Sequence, residues 1–225
     1  MRLLPRLFPI VSMAAYDLEE QDKLAELKAW WARFGTAITA ALVVVALALA
    51  GWNGWAWWQN KRAAEASALY FALQEGLAKN EPARVKDATT QLLERYAGTA
   101  YAARAALLAA KAAFDAGELD QARTHLEWVV AHSKEEELRA TARLRLASVL
   151  LDLKKPEAAL AVLDGKRPAA FEGLFLDARG DVFLAMGKFA DAKAAYEAAL
   201  SKLDSRGGLR QYVQLKLDYA TEAAK

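Results

Sequence analysis

The sequence predicts an all-α chain in which a single N-terminal transmembrane helix precedes a solenoid of helical hairpins. Three observations carry this. No charged residue stands between Arg33 and Lys61, and the middle of that run reads AITAALVVVALALAGW, Ala37 to Trp52. Downstream, apolar residues recur at helical spacing between turn signals that leave helices of about 10–20 residues. Alanine is heavily used, and only 5 of the 225 residues are proline, a bias towards helix over strand.

A helix rises ~1.5 Å per residue, so about 20 apolar residues cross a hydrocarbon core roughly 30 Å thick. Residues 34–58 supply them. Trp30 and Trp31 precede the run, and Trp52, Trp55, Trp57 and Trp58 close it. Six of the seven tryptophans therefore stand where an indole prefers the headgroup zone. Lys28, Arg33, Lys61 and Arg62 are placed to snorkel to lipid phosphates.

The run divides the chain into a tail (residues 1–33), the span (34–58) and a larger domain (61–225). Residues 1–12, MRLLPRLFPIVS, lack the clean apolar core of a signal peptide. Met13 is read as the true start, with the first twelve residues an extension of the gene model. Residues 17–28 set acids early and lysines late, which suits the helix macrodipole. A solvated helix leading into the membrane is favoured here over a docking tail. Lys23, Lys28 and Arg33 before the span balance Lys61, Arg62 and Lys79 after it, so charge gives no orientation. A short tail before a large C-terminal domain is the layout of a signal-anchor protein.

Residues 61–225 hold 25 Lys/Arg against 23 Asp/Glu, a balance that argues against nucleic acid as a partner. The absence of cysteine excludes disulfides, thiol catalysis and thiolate metal sites. Turns are expected at Asn80–Pro82, Ala97–Thr99, Ala116–Glu118, Ser133–Glu135, Lys154–Pro156, Gly165–Pro168, Gly187–Lys188 and Ser205–Gly208. Thr99 is a candidate cap, and Ser133 with Glu136 has capping-box spacing. Gly117 and Gly187 lie where one helix must stop and the next begin.

The domain repeats itself. Ala88, Ala122, Ala158 and Ala192 recur at intervals of 34, 36 and 34 residues, each followed four residues later by Leu92, Leu126, Val162 or Tyr196. The clearest unit, GDVFLAMGKFADAKAAYEAAL (Gly180 to Leu200), has a small residue at Gly180, a turn glycine at Gly187, then Ala192 and Tyr196 on one face. This resembles the tetratricopeptide repeat, in which small residues let paired helices approach and a bulky one fills the gap between units. In the third unit Leu146 replaces the small residue and Leu153 the turn glycine. Residues 207–224 are read as a closing helix with Leu209, Tyr212, Val213, Leu217 and Ala220 facing in. The resemblance implies a concave face lined by the first helix of each unit. Its inward positions map to Leu73, Leu77, Arg104, Leu107, Lys111, Arg143, Ala147, Asp177 and Asp181. That mixed groove suits an extended or helical peptide better than a small molecule.

No catalytic constellation stands out. His125 and His132 have no evident third ligand, Gly207–Gly208 reads as a turn, and Asp177 and Asp181 read as a polar face. Arg139, Arg143 and Arg145 read as partners of Glu135 to Glu137. No cofactor site is expected. The order of parts, from the tail YDLEEQDKLAELKAWWARFG through one span to about four repeats, resembles the YfgM family of ancillary subunits of the bacterial Sec translocon. That resemblance implies an inner-membrane protein with a cytoplasmic N-terminus and a periplasmic repeat domain. It implies association with SecYEG, with a PpiD-type periplasmic chaperone and with nascent secreted chains, without catalysis. A cytoplasmic response regulator, held through residues 16–28, is a further implied partner. The competing reading is a membrane-anchored scaffold for outer-membrane assembly or division.

Overall fold

A computed structural model describes the backbone of residues 13–204 and 207–225, and side chains from Glu20 onward. The expectation about residues 1–12 lies outside the described residues. Among those described there is no strand. Nine α-helices follow in order: α1 (Met13–Ala78), α2 (Pro82–Arg95), α3 (Ala100–Asp115), α4 (Leu119–His132), α5 (Glu136–Asp152), α6 (Pro156–Leu163), α7 (Glu172–Ala185), α8 (Phe189–Lys202) and α9 (Gly208–Ala223). A 3-10 turn at Ala169–Phe171 precedes α7. The chain divides into two compact units, one ending at Gln59 and the other Asn60–Lys225.

In the first unit, α1 leaves its aliphatic surface open. Leu42, Val43, Val44, Val45, Leu47 and Leu49 are all exposed, and α1 is long and apolar enough to cross a membrane. Residues 13–33 of the tail, the apolar run and the first helix of the repeats form one helix, α1. No proline falls between Met13 and Ala78 to break it.

The second unit is a row of helical hairpins with three contiguous cores. The first joins Ala66, Leu73, Ala88, Leu92 and Ala105. The second runs through α3 to α7 around Leu126, Val129, Leu163, Phe175 and Val182. The last holds Ala192, Tyr196, Ala199, Val213 and Ala220. Each large side chain so buried contributes roughly 1.5–3 kcal/mol. First helices also pack on one another, α3 on α5 and α5 on α7, which builds a solenoid rather than a set of isolated hairpins.

All four hairpins turn the same way. Asn80, Gly117, Lys154 and Gly187 have positive φ (56°, 79°, 59° and 71°). In each case the next residue's N–H donates to a carbonyl five residues back: Glu81 to Gly76, Glu118 to Ala113, Lys155 to Leu150 and Lys188 to Phe183, all at 2.8–2.9 Å. This is a Schellman closure with a left-handed residue at its centre.

That shared turn corrects the register of the third repeat. Its left-handed residue is Lys154, not Leu153, so the small residue one helix earlier is Ala147 and the turn's follower is Ala159. Ala159 and Leu163 are fully buried, whereas Ala158 is exposed and Val162 only half-buried. The turn itself was expected at Lys154–Pro156, but with lysine rather than glycine at its left-handed position the pattern slipped by one residue.

Three further expectations change. Ser133 does not open a capping box: α5 begins at Glu136 with Glu135 as its N-cap. The Ser133 hydroxyl accepts the Glu135 N–H at 3.2 Å. In α9, Val213 and Ala220 are buried as expected, but Leu209 and Tyr212 face outward. Thr99 does precede α3, although its hydroxyl donates back to the Tyr96 carbonyl (2.8 Å) rather than capping the helix.

Candidate functional site

The residues expected to line a groove do not stay together on an open surface. Leu73 and Ala147 are wholly buried, and Leu107 nearly so. They hold helices together and offer nothing to a partner. For Leu73 and Ala147 the turn positions explain why. Leu107 and Lys111 precede Gly117 by ten and six residues, as Asp177 and Asp181 precede Gly187. The matching residues before Lys154 are Leu144 and Ser148, and before Asn80 they are Tyr70 and Gln74. Arg143 and Ala147, and Leu73 and Leu77, were each assigned out of step with the helix face. Leu77 instead helps line a cavity of about 500 Å³ with Gly76, Val85, Thr89, Ala113 and His125.

The charged members are committed to structure. Arg104 grips Glu135 with two bonds of 2.9 Å, tying α3 to the loop before α5. The Arg143 guanidinium packs over Gly165 and donates to the Lys166 carbonyl. Arg139 donates to the Ser133 carbonyl and pairs with Glu136 (3.4 Å). Lys111 keeps the most open side chain of this set, paired along its own helix with Asp115 at 2.6 Å.

Asp177 and Asp181 meet a partner the sequence did not suggest. Lys216 of α9 lies 3.0 and 3.1 Å from the Asp177 carboxylate and 2.8 Å from Asp181. The Tyr196 hydroxyl donates to Asp181 at 2.8 Å. Burial raises the Asp177 carboxyl, against the pull of Lys216. Burial lowers the Lys216 ammonium, but its bonds to the two carboxylates outweigh that and hold it above its ordinary range. The Tyr196 phenol is pushed up by burial and by Asp181. Two carboxylates around one ammonium thus pin the last helix to α7.

The expected interface residues Trp30, Trp31, Trp55, Trp57 and Trp58 are exposed, as are Arg33 and Lys61. Trp55 and Trp58 rings lie 5.6 Å apart. Arg62 is engaged elsewhere, donating to the carbonyl of Arg95 at the end of α2 and sitting 5.8 Å over the Tyr96 ring. His125 is half-buried, and burial lowers its pKa. His132 stacks on Trp128 at 4.6 Å. No group of three metal-ligating residues occurs among the described residues.

What remains open is apolar and partly cationic. A cavity of about 290 Å³ is walled by α3 and α5 and floored in part by Leu126 of α4, with Ala110 and Val149 inside and Lys111, Phe114, Asp115, Arg145 and Ser148 around it. At the end of the row, Leu209, Tyr212, Leu215 and Tyr219 form an exposed stripe on α9. Sequence reasoning missed both, because an exposed Phe or Tyr has the same helical spacing as a buried one.

A family described as tetratricopeptide repeat-like domain matches residues 28–222. Among curated relatives, an ancillary SecYEG translocon subunit of Neisseria gonorrhoeae is 36% identical over 92% of this chain and 99% of its own length. Proteins with the same designation from Escherichia coli (31%, covering 92% of this chain and 98% of its own length) and Haemophilus influenzae (31%, 82% and 90%) also align over most of both chains. The chain belongs to the family of ancillary SecYEG translocon subunits. The match begins ahead of the apolar run and ends in α9, so it takes in the apolar run and all four hairpins.

Proposed function

We propose that this protein is an ancillary subunit of the bacterial Sec translocon, bound to SecYEG and acting without catalysis of its own. The supporting observation is that relatives carrying that designation align along nearly their whole length. Residues 34–58 anchor it in the inner membrane, with the tail cytoplasmic and residues 61–225 periplasmic. Tethering raises the local concentration of the repeat domain at the channel exit, a gain that needs no strong contact. There the domain receives nascent secreted chains and passes them to a PpiD-type chaperone. Residues 16–28 of the tail hold a cytoplasmic response regulator.

The test is site-specific photocrosslinking from Lys111 and Ser148, both exposed, in native membranes of known sidedness. Adducts to SecYEG and to the chaperone, formed on the periplasmic side, are the expected result. Labelling from the cytoplasm would sink the topology, and adducts only to outer-membrane assembly or division proteins would sink the translocon role.

A further inference from the structure

We infer that the cavity between α3 and α5 is a subsite for one bulky apolar side chain of an extended polypeptide, flanked in that polypeptide by an acidic residue that Arg145 holds. This deepens the proposed handling of translocated chains and rests on it. At about 290 Å³ the cavity falls just below the roughly 300–1,000 Å³ usual for small-molecule sites, which fits a single side chain. Its floor is buried and apolar: Ala110, Leu126 and Val149 are each 3% exposed or less. Phe114 stands at the edge, 42% exposed, an aromatic ring left open to solvent beside the hollow.

The charge around the opening selects the neighbour. Lys111 and Asp115 neutralise each other at 2.6 Å. Arg145 is exposed, lines the same opening, and has no hydrogen bond or ion pair with any described residue. The opening therefore carries one unsatisfied positive charge next to an apolar hollow. A segment with a large apolar residue beside a carboxylate complements both features. The larger cavity between α2 and α4 lacks this polarity, since Lys86 shares its edge with Glu81 and Glu118.

The full chain in lipid nanodiscs would be titrated with three short labelled peptides, read by fluorescence anisotropy. One carries phenylalanine followed by aspartate, one phenylalanine followed by lysine, and one alanine followed by aspartate. Burying the ring favours the first over the third by about 10- to 100-fold. The exposed charge contact favours it over the second by about two- to fivefold. Ser148→Trp fills the hollow from an exposed position and should reduce the first peptide to the level of the third. Arg145→Glu should reverse the aspartate-over-lysine preference while keeping the need for phenylalanine. Equal binding of the first and third peptides, unchanged binding by Ser148→Trp, or an unchanged charge preference in Arg145→Glu would each overturn the inference. A protein that crosslinks to SecYEG yet shows no such selectivity rejects this subsite and leaves the translocon role intact. Selective binding without channel adducts does the reverse.

Discussion

Lys216 is the residue on which the end of the domain depends. Its side chain and that of Asp177 are only 15% and 12% exposed, so removing the ammonium leaves two carboxylates facing each other with one of them buried. Breaking a fully buried pair costs ~3–5 kcal/mol. Asp181 keeps 36% of its side chain in water, and solvent screening there brings the expectation for Lys216→Ala down to about 2 kcal/mol. Because α9 is terminal, the loss should appear as local opening. Hydrogen exchange of the α9 amides should quicken roughly 30-fold, with α3 to α5 unchanged. Uniform acceleration across the domain would show that Lys216 supports global stability instead. Nothing in the local sequence announced this contact. Asp177 and Asp181 read as a solvated face because their partner stands 39 and 35 residues away.

At the scale of elements, the hairpin turn is the recurring device. Two of the four left-handed positions carry glycine and two do not. Lys154 at φ 59° bears the Cβ–carbonyl crowding that glycine avoids, a cost of ~1–2 kcal/mol. Replacing it by glycine recovers part of that cost, offset by the greater freedom glycine gives the unfolded chain. Lys154→Gly should therefore stabilise by about 1 kcal/mol and raise the thermal midpoint by roughly 2–4 °C. A lower midpoint would mean that the lysine contributes something beyond the turn. The helices and their breaks were legible because proline, glycine and alanine patterning acts locally. The facing of α5 and α9 was not, since a one-residue slip rotates a helix by about 100° and the third repeat lacks the glycine that would have set its register.

At the scale of the whole molecule, the anchor hypothesis turns on the exposed aliphatic surface of α1. Arginine at the centre of a span costs about 2.5–3.5 kcal/mol on insertion scales. Val44→Arg with Ala48→Arg should thus oppose insertion by ~5–7 kcal/mol, more than a few Leu and Val residues at ~0.3–0.6 kcal/mol each return. The double variant should appear in the carbonate-soluble fraction, with Val44→Leu remaining in the membrane. A double variant that stays in the pellet would show that something other than this span holds the protein there.

The sequence by itself determined the all-α class, the single apolar run and the hairpin breaks, because each depends on residues adjacent or a few helical turns apart, and the family resemblance, because the order of tail, span and repeats is written along the chain. Only the tertiary structure decided which of those helical faces meet solvent. Leu73 and Ala147 went to the core, Asp177 and Asp181 to Lys216, and Arg104 to Glu135. Meanwhile Phe114 and Tyr212 were left in water. Burial and long-range charge pairing depend on how hairpins stack, and the periodicity of one helix does not record what packs against it.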